Sequence, residues 1–256
     1  MGNGGHPFWD KASVFPIFGK KKFFKPFRIC YNRLNRGIMN RRGFYKEITM
    51  ENQEEKARII RDIVSMEWEM FQKVEGIGGR AGCQDQYPTF NIMRSSQFLA
   101  WDTGTLECYL QDLNKARVSG RNLITEKYAY MMESTDPEYY RLKLQPHLPP
   151  VNGTKSLLIQ RILNLLIQWD QEVSREFPKL SQRGRPLEAA ADKSGTTSVE
   201  TYMGGELKTY SEETLQSLLD HLMGEKTRGG NVVRKILEFT TQQYGFASLE
   251  DAEKKS

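Results

Sequence analysis

Glu67, Arg94, Gln97 and Glu206 are the residues of this 256-residue chain whose types and placement could do chemistry. At about 100° per residue, Ile60, Ile63, Val64, Met70, Phe71 and Val74 share one side of a helix, and Glu67 stands in the middle of that stripe. A carboxylate there must find a cation or hydrogen-bond donors, or accept a raised pKa, because taking the ionised form out of water is costly. Glu69 points the opposite way, so the two carboxylates do not form a catalytic pair. The next helix puts Phe90, Arg94, Gln97 and Trp101 on one face, and the Arg94 guanidinium is the cation that a buried Glu67 needs. Two uses of this set stand against each other. In one, Arg94 and Arg80 orient a small polar or anionic molecule, Gln97 hydrogen-bonds it, Trp68, Phe90 and Trp101 wall the pocket, and Glu67 or Glu206 acts as acid or base. In the other, Glu67, Arg94 and Glu206 form a buried ion network that fixes helix register and does no chemistry.

Between these helices runs Gly76-Ile77-Gly78-Gly79-Arg80-Ala81-Gly82-Cys83-Gln84-Asp85. Its backbone amides, with Arg80, Cys83, Gln84 and Asp85 beside them, could hold an anion at the start of the following helix. It lacks the G-K-[ST] of a phosphate-binding loop, and the rival reading is a tight connector that needs glycine for its conformation. Cys83 as a nucleophile would require a base, and from Met50 onward the only histidines are His147 and His221. The same scarcity argues against a histidine-ligated metal or a Ser-His-Asp triad, and neither metal nor cofactor is expected.

The elements that must position these residues are helices, and they read as one unit written twice. A shift of 109 brings Thr105-Leu106 onto Thr214-Leu215, Leu110 onto Leu219, Leu113 onto Leu222, Gly120 onto Gly229 and Asn122 onto Asn231. Upstream, a smaller shift lays Glu67-Trp68-Glu69 on Gln168-Trp169-Asp170. The first copy gives helices over 52–74, 89–101, 103–118 and 122–133, and the second over 154–177, 198–209, 212–227 and 231–243. Asp102 and Ser211 suit helix N-caps, and Gly120 and Gly229 suit left-handed C-terminal caps. The expected fold is all-α: two tandem pseudo-symmetric four-helix units forming one helical body over 50–256. Repeat one spans 50–144, a Pro-rich hinge 145–153 and repeat two 154–256. By these registers, Glu67 becomes Gln168, Arg94 becomes Met203 and Gln97 becomes Glu206, a complementary asymmetry that points to one site at the seam.

The basic segment 1–49 carries eleven Lys or Arg and two acids, whereas the rest has 26 basic and 30 acidic residues. The overall basicity therefore belongs to that segment, which has no helical or alternating period. A basic aromatic arm could hold nucleic acid or an anionic membrane, but Lys46-Glu47 can be encoded as a ribosome-binding sequence just upstream of Met50. Translation is expected to begin at Met50, with 1–49 disordered or not translated, and nucleic-acid binding is the least favoured function. The apolar stretch from Leu157 to Trp169 is broken by Gln160, Arg161, Asn164 and Gln168, so no membrane span is expected. Cys30, Cys83 and Cys108 are scattered and odd in number, which favours a reducing cytoplasm.

The strings MEWEMFQKV from Met66, GGRAGCQD from Gly78, TFNIMRSSQF from Thr89, GRNLITEKY from Gly120, MMESTDP from Met131 and GELKTYS from Gly205 carry a resemblance. The chain resembles, from about Met50 to its end, a family of bacterial proteins catalogued as domain of unknown function 4125 (DUF4125). That family brings no activity with it. The function expected from the residues is binding of a small polar or anionic metabolite at the seam. A non-catalytic module with a structural ion network and a protein partner is the alternative.

Overall fold

The computed structural model describes residues 41–76, 79–193 and 196–256. Most of the basic segment, residues 1–40, lies outside them. Among the described residues the chain is helical, with no strand beyond the isolated bridges Gly76–Gly79 and Lys193–Thr196. The first four long helices are α1 (Arg41–Gln72), α2 (Tyr87–Leu99), α3 (Thr103–Val118) and α4 (Leu123–Thr135). The short α5 (Pro137–Tyr139) leads through a π turn at Tyr140–Leu144 into the proline hinge. Beyond it come α6 (Gly153–Glu176), α7 (Pro178–Gln182), α8 (Val199–Leu207), α9 (Glu212–Thr227), α10 (Val232–Gln243) and α11 (Leu249–Lys255).

The helix ends follow from local chemistry. Asp102 accepts a hydrogen bond from the Thr105 amide at 2.7 Å, and Ser211 accepts one from Thr214 at 3.2 Å, so α3 and α9 begin where the sequence places their caps. Both helices stop at a glycine with positive φ, Gly120 (+70°) and Gly229 (+72°), a conformation that costs glycine nothing. Only α1 departs far from the expected bounds, beginning at Arg41 and running straight through Met50.

One hydrophobic core joins these helices, with a smaller cluster of Val173, Phe177, Leu180, Leu249 and Ala252 at the end formed by α7 and α11. Helix α1 packs on α2, α3 and α4, and α6 packs on α8, α9 and α10. The two sets then interlock: α2 lies on α10, α4 on α8 and α3 on α9. Helices α3 and α9 run antiparallel, and each holds the other's start. Asp112 of α3 accepts from the Ser211 amide (2.8 Å) and the Thr214 hydroxyl (2.6 Å). His221 of α9 meets the Asp102 carboxylate through Nδ1 (3.0 Å) and the Ala100 carbonyl through Nε2 (2.9 Å).

One expectation from the sequence fails at α6. Gln168 is exposed and does not stand where Glu67 stands. Burial along α1 at Ile59, Ile60, Ile63, Glu67, Met70 and Val74 is matched along α6 at Leu158, Ile159, Ile162, Leu166, Trp169 and Val173. The buried positions of α1 and α6 thus match at an offset of 99, not 101, and Asn122 and Asn231 donate to the carbonyls of Met70 and Trp169, which are 99 apart. Two residues of slip rotate a helical side chain by about 200°, enough to exchange a buried position for an exposed one.

Candidate functional site

Four of the expected residues meet at the centre of the body. Helix α1 supplies Glu67, α2 supplies Arg94 and Gln97, and α8 supplies Glu206. Arg94 Nε donates to Glu67 Oε2 at 2.7 Å and Nη2 to Glu67 Oε1 at 2.5 Å, the bidentate geometry a planar guanidinium favours. The same guanidinium reaches Glu206, Nη1 to Oε2 at 3.2 Å and Nη2 to Oε1 at 3.0 Å, and Nη1 also donates to Gln97 Oε1 at 2.8 Å. Gln97 Nε2 closes the circuit on Glu206 Oε1 at 3.0 Å. Glu67 is fully buried and Arg94 is 4% exposed, so these bonds form away from solvent.

Three members of the network had not been singled out from the sequence. Lys127 of α4 pairs with Glu206 Oε2 and lies 3.5 Å from the centroid of the Tyr202 ring, a cation–π contact. Tyr109 donates to Glu67 Oε1 and Tyr210 to Glu206 Oε1, each at 2.6 Å. A signal for Lys127 was present, since it interrupts the apolar stripe Leu123, Ile124, Tyr128 and Met131 just as Glu67 interrupts that of α1. Gly205 brings α8 close enough for the pairing: a Cβ there would lie 2.8 Å from the Lys127 carbonyl oxygen.

Two carboxylates face two cations, and the electrostatics follow. Burial opposes ionisation of Glu206, but Arg94 and Lys127 more than offset it and hold its carboxyl well below the usual range. Burial likewise works against the charge on Arg94, and Glu206 and Glu67 together keep it protonated. Burial first, then the neighbouring carboxylates, push Tyr109 and Tyr210 well above an ordinary phenol, so both hydroxyls remain donors.

The remaining expected residues lie apart from this centre or wall it without opening it. Trp68 and Phe90 pack against each other at 5.1 Å, with Phe71 and Tyr87 beside them. Trp101 packs on Phe98, Tyr109 and Tyr210. The glycine-rich loop, of which Ile77 and Gly78 lie outside the described residues, serves the end of α1. Gln84 Nε2 donates to the Phe71 and Val74 carbonyls at the end of the helix, the first of which also accepts from the Val74 amide, while Gln84 Oε1 accepts from the Ala81 amide. Arg80 pairs with Asp85 at 2.9 Å and bonds the Gln84 carbonyl, so neither reaches Arg94. Burial raises the Cys83 thiol above its ordinary pKa, away from the thiolate a nucleophile needs.

Residues 57–254 match the family described as Protein of unknown function (DUF4125). The chain belongs to that family. No curated protein and no solved structure matches it. The matched span contains the whole network.

Elsewhere a groove of about 1360 Å³ opens between the α2–α3 turn, α9 and α10. Of the expected site residues only Trp101 lines it; Arg94, Gln97 and Glu206 do not. His221 stands in its wall, but both ring nitrogens are engaged, by Asp102 and by the Ala100 carbonyl. Among the described residues no group of His, Cys, Asp and Glu is arranged to hold a metal ion, and no helix is long and apolar enough to cross a membrane.

Proposed function

We propose that this chain is a non-catalytic helical module that binds a protein partner, and that its buried charges tie together two pseudo-symmetric four-helix units, 50–144 and 154–256, across the hinge 145–153. The observation that carries this reading is Arg94. A guanidinium has five N–H donors, and the five hydrogen bonds of Arg94 all end on Glu67, Gln97 and Glu206, leaving none for a ligand. Glu206 is as fully occupied, accepting from Arg94, Gln97, Lys127 and Tyr210.

The exchange of partners between the halves supports the pseudo-symmetry. Replacing α1–α4 by α6, α8, α9 and α10, and the reverse, turns the packing of one half into that of the other. Under that exchange the counterparts of Glu67, Arg94, Tyr109 and Lys127 are Leu166, Met203, Leu218 and Ile236. The second unit thus places apolar side chains at these four positions and contributes one charge, Glu206, at the counterpart of Gln97. The single free-standing use left for the charges is specificity of register, since a buried network adds little net stability over a well-packed apolar one. The separated free cysteines Cys83 and Cys108 suit a reducing cytoplasm.

The test compares Arg94→Met, which leaves Glu67 buried without a cation, with Glu67→Leu/Arg94→Met, which removes one charge of each sign. The double variant is expected to fold and to keep most of the wild-type thermal stability. A small polar metabolite that stabilises the wild type in a thermal-shift screen, but not the folded double variant, would overturn the reading in favour of a ligand site at the seam.

A further inference from the structure

The groove between α9, α10 and the α2–α3 turn has no part in the network. Its large apolar lining residues are Leu99, Trp101, Leu158 and Phe239, of which Leu99 and Phe239 present most of the accessible apolar surface. Six carboxylates line it against three cations, Lys56, Arg228 and Lys235. Arg228 and Lys235 both pair with Glu225, and Lys56 donates to the Leu99 carbonyl at 2.9 Å. Glu212, Asp220 and Glu238 have no ion-pair partner among the described residues, although Glu212 accepts from Asn152 and Asp220 from Gln216. The balance of charge in the groove is therefore negative. Helix α9 lines the groove from Glu212 to Arg228, roughly 24 Å at the rise of an α-helix, the length of about seven extended residues. At about 1360 Å³ it also exceeds the usual range of small-molecule pockets, up to about 1,000 Å³.

We propose that this groove docks a basic, aromatic-bearing peptide segment of a partner protein, an inference that rests on the module reading above and names the chemistry of its partner. Lysines or arginines of the segment face Glu212, Asp220 and Glu238, and its aromatic side chains cover the apolar floor at Leu99 and Phe239. An acidic segment meets three uncompensated carboxylates, which is the discriminating element. The aromatic anchors supply affinity, and the charges supply orientation and salt dependence.

The experiment uses the full chain and a fluorescein-labelled twelve-residue peptide of alternating Lys and Phe, read by fluorescence anisotropy in low salt. Asp220→Asn/Glu238→Gln is expected to weaken binding by about fivefold or more, and higher salt to weaken the wild-type complex in the same direction. A control, Glu69→Gln/Glu138→Gln, removes two exposed carboxylates away from the groove and is expected to leave binding unchanged. Equal losses in both double variants would reduce the binding to diffuse attraction and overturn the proposal. So would equal affinity for a Lys/Ser peptide, because the floor would then contribute nothing. The network variants do not touch the groove, so failure here leaves the reading of Arg94 standing, and failure there does not alter this measurement.

Discussion

Substituting Arg94 by Met, the residue that stands at 203, removes all five of its hydrogen bonds at once. Glu67 then keeps only the Tyr109 hydroxyl, while Glu206 keeps Lys127, Gln97 and Tyr210. The centre changes from two carboxylates against two cations to two against one, with Glu67 fully buried. Breaking a buried pair from one side costs about 3–5 kcal/mol, because the surviving charge has neither water nor partner. For a domain of this size each kcal/mol moves Tm by about 2–4 °C, so the single variant is expected to melt about 6–20 °C below the wild type. Glu67→Leu/Arg94→Met restores the balance, leaving Glu206 with Lys127, and is expected to recover most of that loss. Calorimetry on wild type, both single variants and the double variant measures the coupling directly. A double variant whose loss equals the sum of the singles would refute the argument, since the charges would then not be acting on one another.

Three further outcomes are expected. Gly205→Ala places a methyl 2.8 Å from the Lys127 carbonyl oxygen and 2.7 Å from Met131 Cγ; backbone cannot yield as a side chain can, so it should destabilise by about 2 kcal/mol or more in urea titration, and a neutral result would show that α4 and α8 are free to part. The His221 hydrogen bond holds the Asp102 carboxyl down to about 2 from an ordinary 3.8, against the opposing effect of burial. Its folded pKa is lower than its unfolded one, so its stabilisation is complete above the unfolded value and is lost as pH falls through about 2; Asp102→Asn should abolish that part of the acid-unfolding slope, and an unchanged slope would count against the His221 pairing. Translation is proposed to begin at Met50 although α1 extends back to Arg41; terminal peptide mapping of the native protein that recovers any residue before Met50 would overturn this.

Much of this fold could be read before the coordinates. Eight long helices were placed from apolar period, caps and glycines, because those signals are local and each residue carries its own. Glu67, Arg94, Gln97 and Glu206 were legible for a related reason: a charged group on an apolar stripe contradicts its surroundings and asks for a partner. Lys127 obeys the same rule, interrupting the stripe of Leu123, Ile124, Tyr128 and Met131 on α4. Tyr109 and Tyr210 gave no signal, since a tyrosine on an apolar face is an ordinary core residue until its hydroxyl is seen to donate. The register of α6 misled because Trp68 and Trp169 are alike in letter but not in place; Trp169 takes the buried position of Met70, and only the pattern of faces reveals it. The groove is not legible in the sequence because its walls come from elements far apart in the chain, although one of its carboxylates, Glu225, does stand on the buried face of α9.

The exchange of partners between the two halves bears on how the chain is made. Synthesis delivers α1 to α4 first, and the surfaces of α2 and α4 that α10 and α8 will cover are then bare. Glu67 and Arg94 both belong to that first half, whereas Lys127 finds its carboxylate, Glu206, only in the second. The neutralising carboxylate arrives only with the second half of the same polypeptide, tethered by a short proline linker that keeps it at high local concentration. The ion pairs of the first half are thus completed only by the second half of the same chain.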